Sequence, residues 1–149
     1  MRALILISIG LMLAGCAGIE IEVLNNDSGS TISGETGRVV QVIDGDTIDV
    51  TINNQTQRVR YIGVNTPERD EPCYSEATAA NAALVNGQTV QLVRDQSDTD
   101  PYDRLLRYVY VGDVFVNREL ITEGYAEAVL YEPDDAHFAE FSQLEASAA

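Results

Sequence analysis

The sequence predicts an α+β domain, mainly β, in which five short strands form a Greek-key barrel accompanied by about three helices. Two observations carry this. Residues 39–111 contain five short runs, several alternating apolar with polar side chains, set between Gly, Asn, Asp and Pro, as half-buried strands require. Only three segments read as helices, and all are short. Such a set suits the OB-fold. The 149 residues, 45% of them apolar, are one domain's worth with a real core and argue against disorder.

The chain opens outside that domain. Arg2, the apolar run 3–13 and Leu13-Ala14-Gly15-Cys16 follow the order of a secretory signal: charge, short apolar core, small residues. The run is too short for an ordinary membrane span. Leu-Ala-Gly-Cys also resembles a lipobox, which implies a signal peptide of residues 1–15, cleavage before Cys16 and lipid on its sulfur. The protein is then exported and anchored to the cell membrane facing outward; a plain secretory signal or a buried N-terminal element are the other readings. Residues 16–37 read as a flexible linker around Asn25-Asn26-Asp27-Ser28-Gly29-Ser30. About twenty such residues span roughly 25 Å root-mean-square, enough to hold a domain clear of lipid headgroups. Cys16 and Cys73 are the only cysteines, so lipidation of one leaves no disulfide framework. Cys73, at the start of a helix, is expected to be a small buried side chain rather than a nucleophile.

Within the domain, residues 38–149, the first three strands are expected at 39–43, 47–52 and 57–64, with Asn53-Asn54-Gln55 turning the second into the third. Asp44-Gly45-Asp46 interrupts the apolar pattern, and Gly45, free to adopt conformations other residues avoid, makes it a bend that aims a carboxylate sideways. Along the third strand Val59 and Tyr61 fall on one face and Arg58 and Arg60 on the other, which places Arg60 outward beside the acids. Pro67 lacks an N–H and biases Thr66 toward extended geometry, ending the strand near Asn65 and leaving Glu68 on a loop. Residues 75–85 are Ala-rich, with Ser75 as N-cap and Gly87 as the stop of a helix. Residues 89–94 and 104–111 are the fourth and fifth strands, joined by a polar loop at 95–103. Gly112-Asp113 turns the chain into 114–116, and Asn117 caps a helix over 118–123 that Gly124 ends. A last helix, capped by Asp134 or Asp135, runs to 147 with Phe138, Phe141 and Leu144 at spacings of three.

The formal net charge is −15 and all nine basic residues are Arg. Such a surface repels polyanions at long range. Screening removes most of that repulsion in a salty medium, since the Debye length falls from about 8 Å at physiological ionic strength to about 3 Å at 1 M. The acid excess and the missing Lys point to a halophilic source.

No internal repeat, zinc-ligand spacing, P-loop or dinucleotide fingerprint is present, and one His excludes a multi-histidine metal centre. Two oxygen-rich corners, Asp46-Thr47 and Asn65-Thr66, meet at one edge of a small sheet. Hard oxygen ligands of this kind suit calcium better than zinc.

Asp44-Gly45-Asp46-Thr47, Arg60 with Thr66-Pro67-Glu68, and Asp100-Pro101-Tyr102-Asp103-Arg104 resemble the staphylococcal nuclease, or thermonuclease-like, domains. The similarity continues through Val116-Asn117-Arg118-Glu119-Leu120, Gly124-Tyr125-Ala126, Pro133 and His137, so it runs from about Arg38 to the C-terminus. It implies the same OB-fold and a Ca2+-dependent phosphodiesterase or endonuclease that hydrolyses DNA, and RNA, with little sequence specificity. It also implies metal ligands at Asp46, Asn65 and the Thr66 carbonyl, and a general base at Glu68. Arg60 and Arg104 match the pair that binds the phosphate and stabilises the transition state, a task for which the planar guanidinium fork is suited. Tyr102 and Tyr131 either stack on a base or pack at the rim. The chain is expected to be a monomer with no obligate protein partner.

Four departures bear on that implication. Asn65 stands where relatives often have Asp, which removes a charge from the metal shell and weakens calcium binding. Asp103 replaces the usual Gly before the second arginine, where it either pairs with Arg104 or tolerates the turn. Pro101 occupies a position often basic, and a Trp-containing tail is lacking. The competing reading is a binding module: the same barrel, catalytically weak or inactive, holding single-stranded nucleic acid or a protein partner at the cell surface. The intact set of Arg60, Glu68 and Arg104 separates the two, because a binder has no evident need of it.

Overall fold

A computed structural model describes residues 33–148. The expected signal peptide, the expected lipidation site Cys16 and the expected linker up to residue 32 lie outside the described residues.

The first three strands form a meander: β1 (Glu35–Val42), β2 (Thr47–Ile52) and β3 (Gln55–Tyr61). β1 also pairs with β5 (Thr89–Val93), β5 pairs with β6 (Leu105–Val111), and β6 returns to lie parallel to β3. That last pairing closes the barrel in the order β3-β2-β1-β5-β6, the OB architecture read from sequence, with the short β7 (Val114–Phe115) hairpinned onto β6. Val39, Ile48, Val50, Val59, Leu92 and Val109 fill its interior, none more than 2% exposed.

Three helices pack outside: α1 (Tyr74–Val85), α2 (Val116–Thr122) and α3 (Phe138–Ala148). Among the described residues none is long and apolar enough to cross a membrane.

The elements differ from the sequence expectation mainly at their ends. β1 starts at Glu35, taking in residues assigned to the linker, because Glu35 to Arg38 find partners on β5. The second turn is two residues, Asn53 and Asn54, both at positive φ, so Gln55 already pairs with Ile52. Asn tolerates this conformation, and the resulting turn follows the strand twist. β3 stops at Tyr61 rather than continuing to Val64. Gly63 takes φ +75° and a β-carbon there would lie 3.1 Å from the Phe141 ring, so the chain turns into a separate two-stranded sheet, β4 (Val64–Asn65) with β8 (Glu127–Ala128).

The helix caps are corrected more deeply. Ser75 lies inside α1, whose N-cap is Cys73 at φ +66°; that cysteine is exposed, not buried. Asn117 caps nothing: fully buried inside α2, it accepts the Val109 amide (2.9 Å) and donates to the Ile62 carbonyl (2.9 Å), tying β6 to the end of β3. Asp134 accepts the amides of Gln96 and Ser97 (2.8 and 2.7 Å), pinning the 95–103 loop, while α3 begins only at Phe138. In Asn117 and Asp134 a polar side chain satisfies distant backbone groups instead of a helix end.

Candidate active site

The bend between β1 and β2 is present at Asp44-Gly45-Asp46, but its cause is not the one expected. Gly45 is not at positive φ; a β-carbon there would lie 2.6 Å from Thr66 Oγ1 and 2.7 Å from Thr66 Cβ. Only glycine lets the bend press against Thr66. The bend is held by Asp44 Oδ1, which accepts the Asp46 amide (3.1 Å), and by Asn81 of α1, whose Nδ2 donates to the Asp44 carbonyl (2.8 Å). Asn81 Oδ1 in turn accepts the Tyr61 hydroxyl (2.8 Å), so helix, bend and barrel wall are one hydrogen-bonded unit.

This fixes the Asp46 carboxylate, which is buried. Oδ2 accepts the Thr66 amide (2.9 Å) and hydroxyl (3.0 Å), Oδ1 accepts the Thr47 hydroxyl (3.1 Å), and Arg60 Nη2 stands 3.2 Å from Oδ2. Burial pushes the Asp46 carboxyl above its ordinary value; Arg60 opposes this, Asp44 adds to it, and the Thr66 hydrogen bonds pull back. Ionised, this group gains from further positive charge nearby.

Arg60 is not outward. Its partner across β2 is Thr47, as the hairpin register requires, yet the residue is 6% exposed. Strand alternation points its side chain away from Val59 and Tyr61, but the chain that turns after Tyr61 folds back over it. Nη1 donates to the carbonyls of Tyr61 and Val64 (both 2.8 Å) and Nη2 to Asn65 Oδ1 (3.3 Å). The Tyr131 ring lies 5.9 Å from its guanidinium carbon. A buried cation persists only when so many partners replace water.

Arg104 lies immediately before the neighbouring strand, β6. β6 runs parallel to β3 with Leu106 opposite Arg60, so Arg104 stands two residues upstream of that level. Its Nε donates to Asp100 Oδ2 (2.6 Å), and neither Nη makes a hydrogen bond to the described residues. Tyr102 is 80% exposed with its ring 5.4 Å from the Arg104 guanidinium carbon. Asp103, at φ +65°, tolerates the turn and makes no ion pair with Arg104.

Glu68 is exposed on the loop after Pro67. That loop is closed by Glu71, whose carboxylate accepts the Glu68 amide (2.8 Å) while its own amide donates to the Glu68 carbonyl (2.8 Å). The Glu68 carboxylate has no hydrogen bond or ion pair among the described residues.

The structure thus joins Asp46, Arg60, Asn65, Thr66 and Tyr131 in one contact network and sets Arg104 with Tyr102 in the loop that leads into the adjoining strand. Glu68 contacts neither arginine. Asp100 was not singled out from the sequence; the signal was an Asp followed by Pro at the start of a turn.

The donor set fits an oxygen-liganded cation. Oδ1 of Asp46 has a single partner among the described residues and hence a lone pair to spare, Thr66 bonds the other oxygen of the same carboxylate, and the Asn65 carboxamide shares Arg60 Nη2 with it. Among the described residues no group of three or more His, Cys, Asp or Glu could hold a metal, so the shell would be one carboxylate with neutral oxygens.

Residues 58–149 match the staphylococcal nuclease homologue family. A thermonuclease of Staphylococcus intermedius is 39% identical over 116 residues, covering 74% of this chain and 69% of that protein. The SPbeta prophage-derived endonuclease YokF of Bacillus subtilis is 41% identical over 116 residues, 72% of this chain and 39% of that protein. Endonuclease YncB of the same organism is 43% identical over 109 residues, 68% of this chain and 52% of that protein. The two Bacillus proteins therefore extend well beyond the shared part. With the matched segment carrying Arg60, Glu68 and Arg104 on a closed five-stranded barrel, the chain belongs to the staphylococcal nuclease homologues, a family of nuclease-type hydrolases.

Proposed function

We propose that this nuclease is a Ca2+-dependent phosphodiesterase that cuts DNA, and RNA, internally with little sequence specificity. The observation that carries the reading is a buried, oxygen-rich corner after β3 together with Arg104, just before the strand that pairs with β3, whose Nη groups bond nothing among the described residues. The names of the thermonuclease and endonuclease relatives support it.

Asp46, Asn65 and the Thr66 carbonyl would hold the calcium ion, which would supply Lewis acidity and a template for the phosphate. Glu68 takes the proton from a water whose oxygen attacks phosphorus as the bond to the leaving oxygen breaks; family resemblance implies 3′-phosphate ends. Arg104 grips two phosphate oxygens through its free fork as charge accumulates there. Arg60 has both Nη groups committed to Tyr61, Val64, Asn65 and Asp46, so it acts on the phosphate through its charge while holding the ligand loop in place. Tyr102 offers an exposed face to a base.

Export and tethering through lipid on Cys16 complete the proposal, with a salty medium screening the −15 charge from the substrate. The test is cleavage of supercoiled circular DNA and of RNA by the full chain, with calcium or with a chelator and across salt concentration. Nicking and linearisation that require calcium support the reading; binding without cleavage under every condition replaces it with the binding module.

A further inference from the structure

Asp100 is built into its loop more tightly than the arginine it holds: its side chain is 6% exposed against 28% for Arg104. Oδ1 accepts the amides of Tyr102 (2.9 Å) and Arg104 (3.0 Å), and Oδ2 accepts the Arg104 Nε–H (2.6 Å). The backbone closes behind it, with the Asp100 amide donating to the Arg104 carbonyl (3.0 Å) and the Asp103 amide to the Asp100 carbonyl (3.1 Å). One carboxylate therefore folds the turn and grips a single edge of the guanidinium plane. The Tyr102 ring lies near that plane as well, at 5.4 Å. What is left over is the Nη1–Nη2 end, which bonds nothing among the described residues.

We propose that Asp100 is a positioning residue of the nuclease site, orienting Arg104 so that its Nη1–Nη2 fork faces the scissile phosphate. The inference rests on the reading of Arg104 as a phosphate ligand. A carboxylate beside a catalytic cation weakens its net charge, so it is useful there only through orientation. A long side chain already ordered in the free protein need not be ordered at the transition state.

The experiment compares steady-state DNA cleavage with calcium by the full chain as wild type, Asp100→Asn, Arg104→Ala and the double variant. Asn keeps an oxygen for the two amides, so the turn survives while the charged bond to Nε is lost. Asp100→Asn is expected to lower kcat between about tenfold and 10²-fold with KM changed less than about twofold. In the Arg104→Ala background the same substitution is expected to change kcat less than about twofold, since the two act as a unit. An equal loss in both backgrounds, or wild-type kcat in Asp100→Asn, overturns the inference. Wild-type kcat in Arg104→Ala instead removes the phosphate-ligand reading, and the inference falls with it. Should Asp100→Asn not fold, the wild-type Arg104 Nε–H resonance decides: a signal protected from exchange supports the pairing, and one averaged with exposed arginines contradicts it.

Discussion

Arg60 Nη2 lies 3.2 Å from Asp46 Oδ2, and both side chains are 7% exposed. The pair joins β3 to the bend before β2, and its cation also holds the carbonyls of Tyr61 and Val64. Removing the cation strands a buried carboxylate and two carbonyls, whereas removing the whole network at once would strand nothing.

Arg60→Ala is therefore expected to destabilise the fold by about 3–5 kcal/mol, besides abolishing cleavage. Urea unfolding at neutral pH checks it. A loss under about 1 kcal/mol, the range of an exposed pair, would show that Arg60 is not held as described.

Gly45→Ala acts on the other side of the same carboxylate. The added carbon meets Thr66 at its Oγ1, Cβ and Cγ2, so Thr66 must retreat from Asp46. The expected cost is about 1–3 kcal/mol, typical of overpacking, together with weaker calcium binding. Unchanged stability and calcium affinity would contradict the close approach.

Asn65→Asp restores a second charge to the ligand shell, at a position where the side-chain oxygen already faces Arg60 at 3.3 Å. Calorimetric titration is expected to show calcium binding tighter by about tenfold, equivalent to about 1.4 kcal/mol. Equal or weaker affinity rejects the argument that the Asn weakens the site.

Among the contributors to the acid limb of stability, Asp100 and Asp134 share one sign with Glu140, which the Arg118 hydrogen bond holds low. Burial alone would raise the Asp134 and Asp100 carboxyls. For Asp134 the Ser97 and Gln96 amides, and for Asp100 the amide and guanidinium of Arg104 with the Tyr102 amide, outweigh it and hold both below the ordinary 3.8. A depressed folded value means that the unfolded chain binds the proton first. Their stabilisation is thus present above 3.8 and lost as pH falls through the folded values. Asp46, raised, works in the opposite sense. Asp134→Asn keeps an acceptor for the two amides but not the charge, so its stability deficit is expected to shrink on going from pH 6 to well below 3.8. A deficit constant across that range would contradict the assignment.

Most of the barrel was legible because alternation and turn residues act locally: 47–52 was read to the residue, and Asn53-Asn54 announced the hairpin. Arg60 was misread because alternation gives a side chain's face but not what later folds over it; here residues 61–65 do. Asn117 and Asp134 were misread for a related reason. The sequence suggests a helix start at both, and offers no sign that their partners are Ile62, Val109, Gln96 and Ser97, up to 55 residues away. The choice between pairing and turn for Asp103 was likewise decided by Asp100, which had already taken Arg104 Nε.

The central claim is that Glu68 and Arg104 act on one phosphate beside the Asp46 corner. Its most direct test is the calcium-dependent rate of DNA cleavage by Glu68→Gln and Arg104→Ala beside wild type, each confirmed folded. Loss of at least about 10²-fold in kcat/KM for each is predicted, the scale of removing a general base or a transition-state cation. Activity that survives both substitutions would contradict the account.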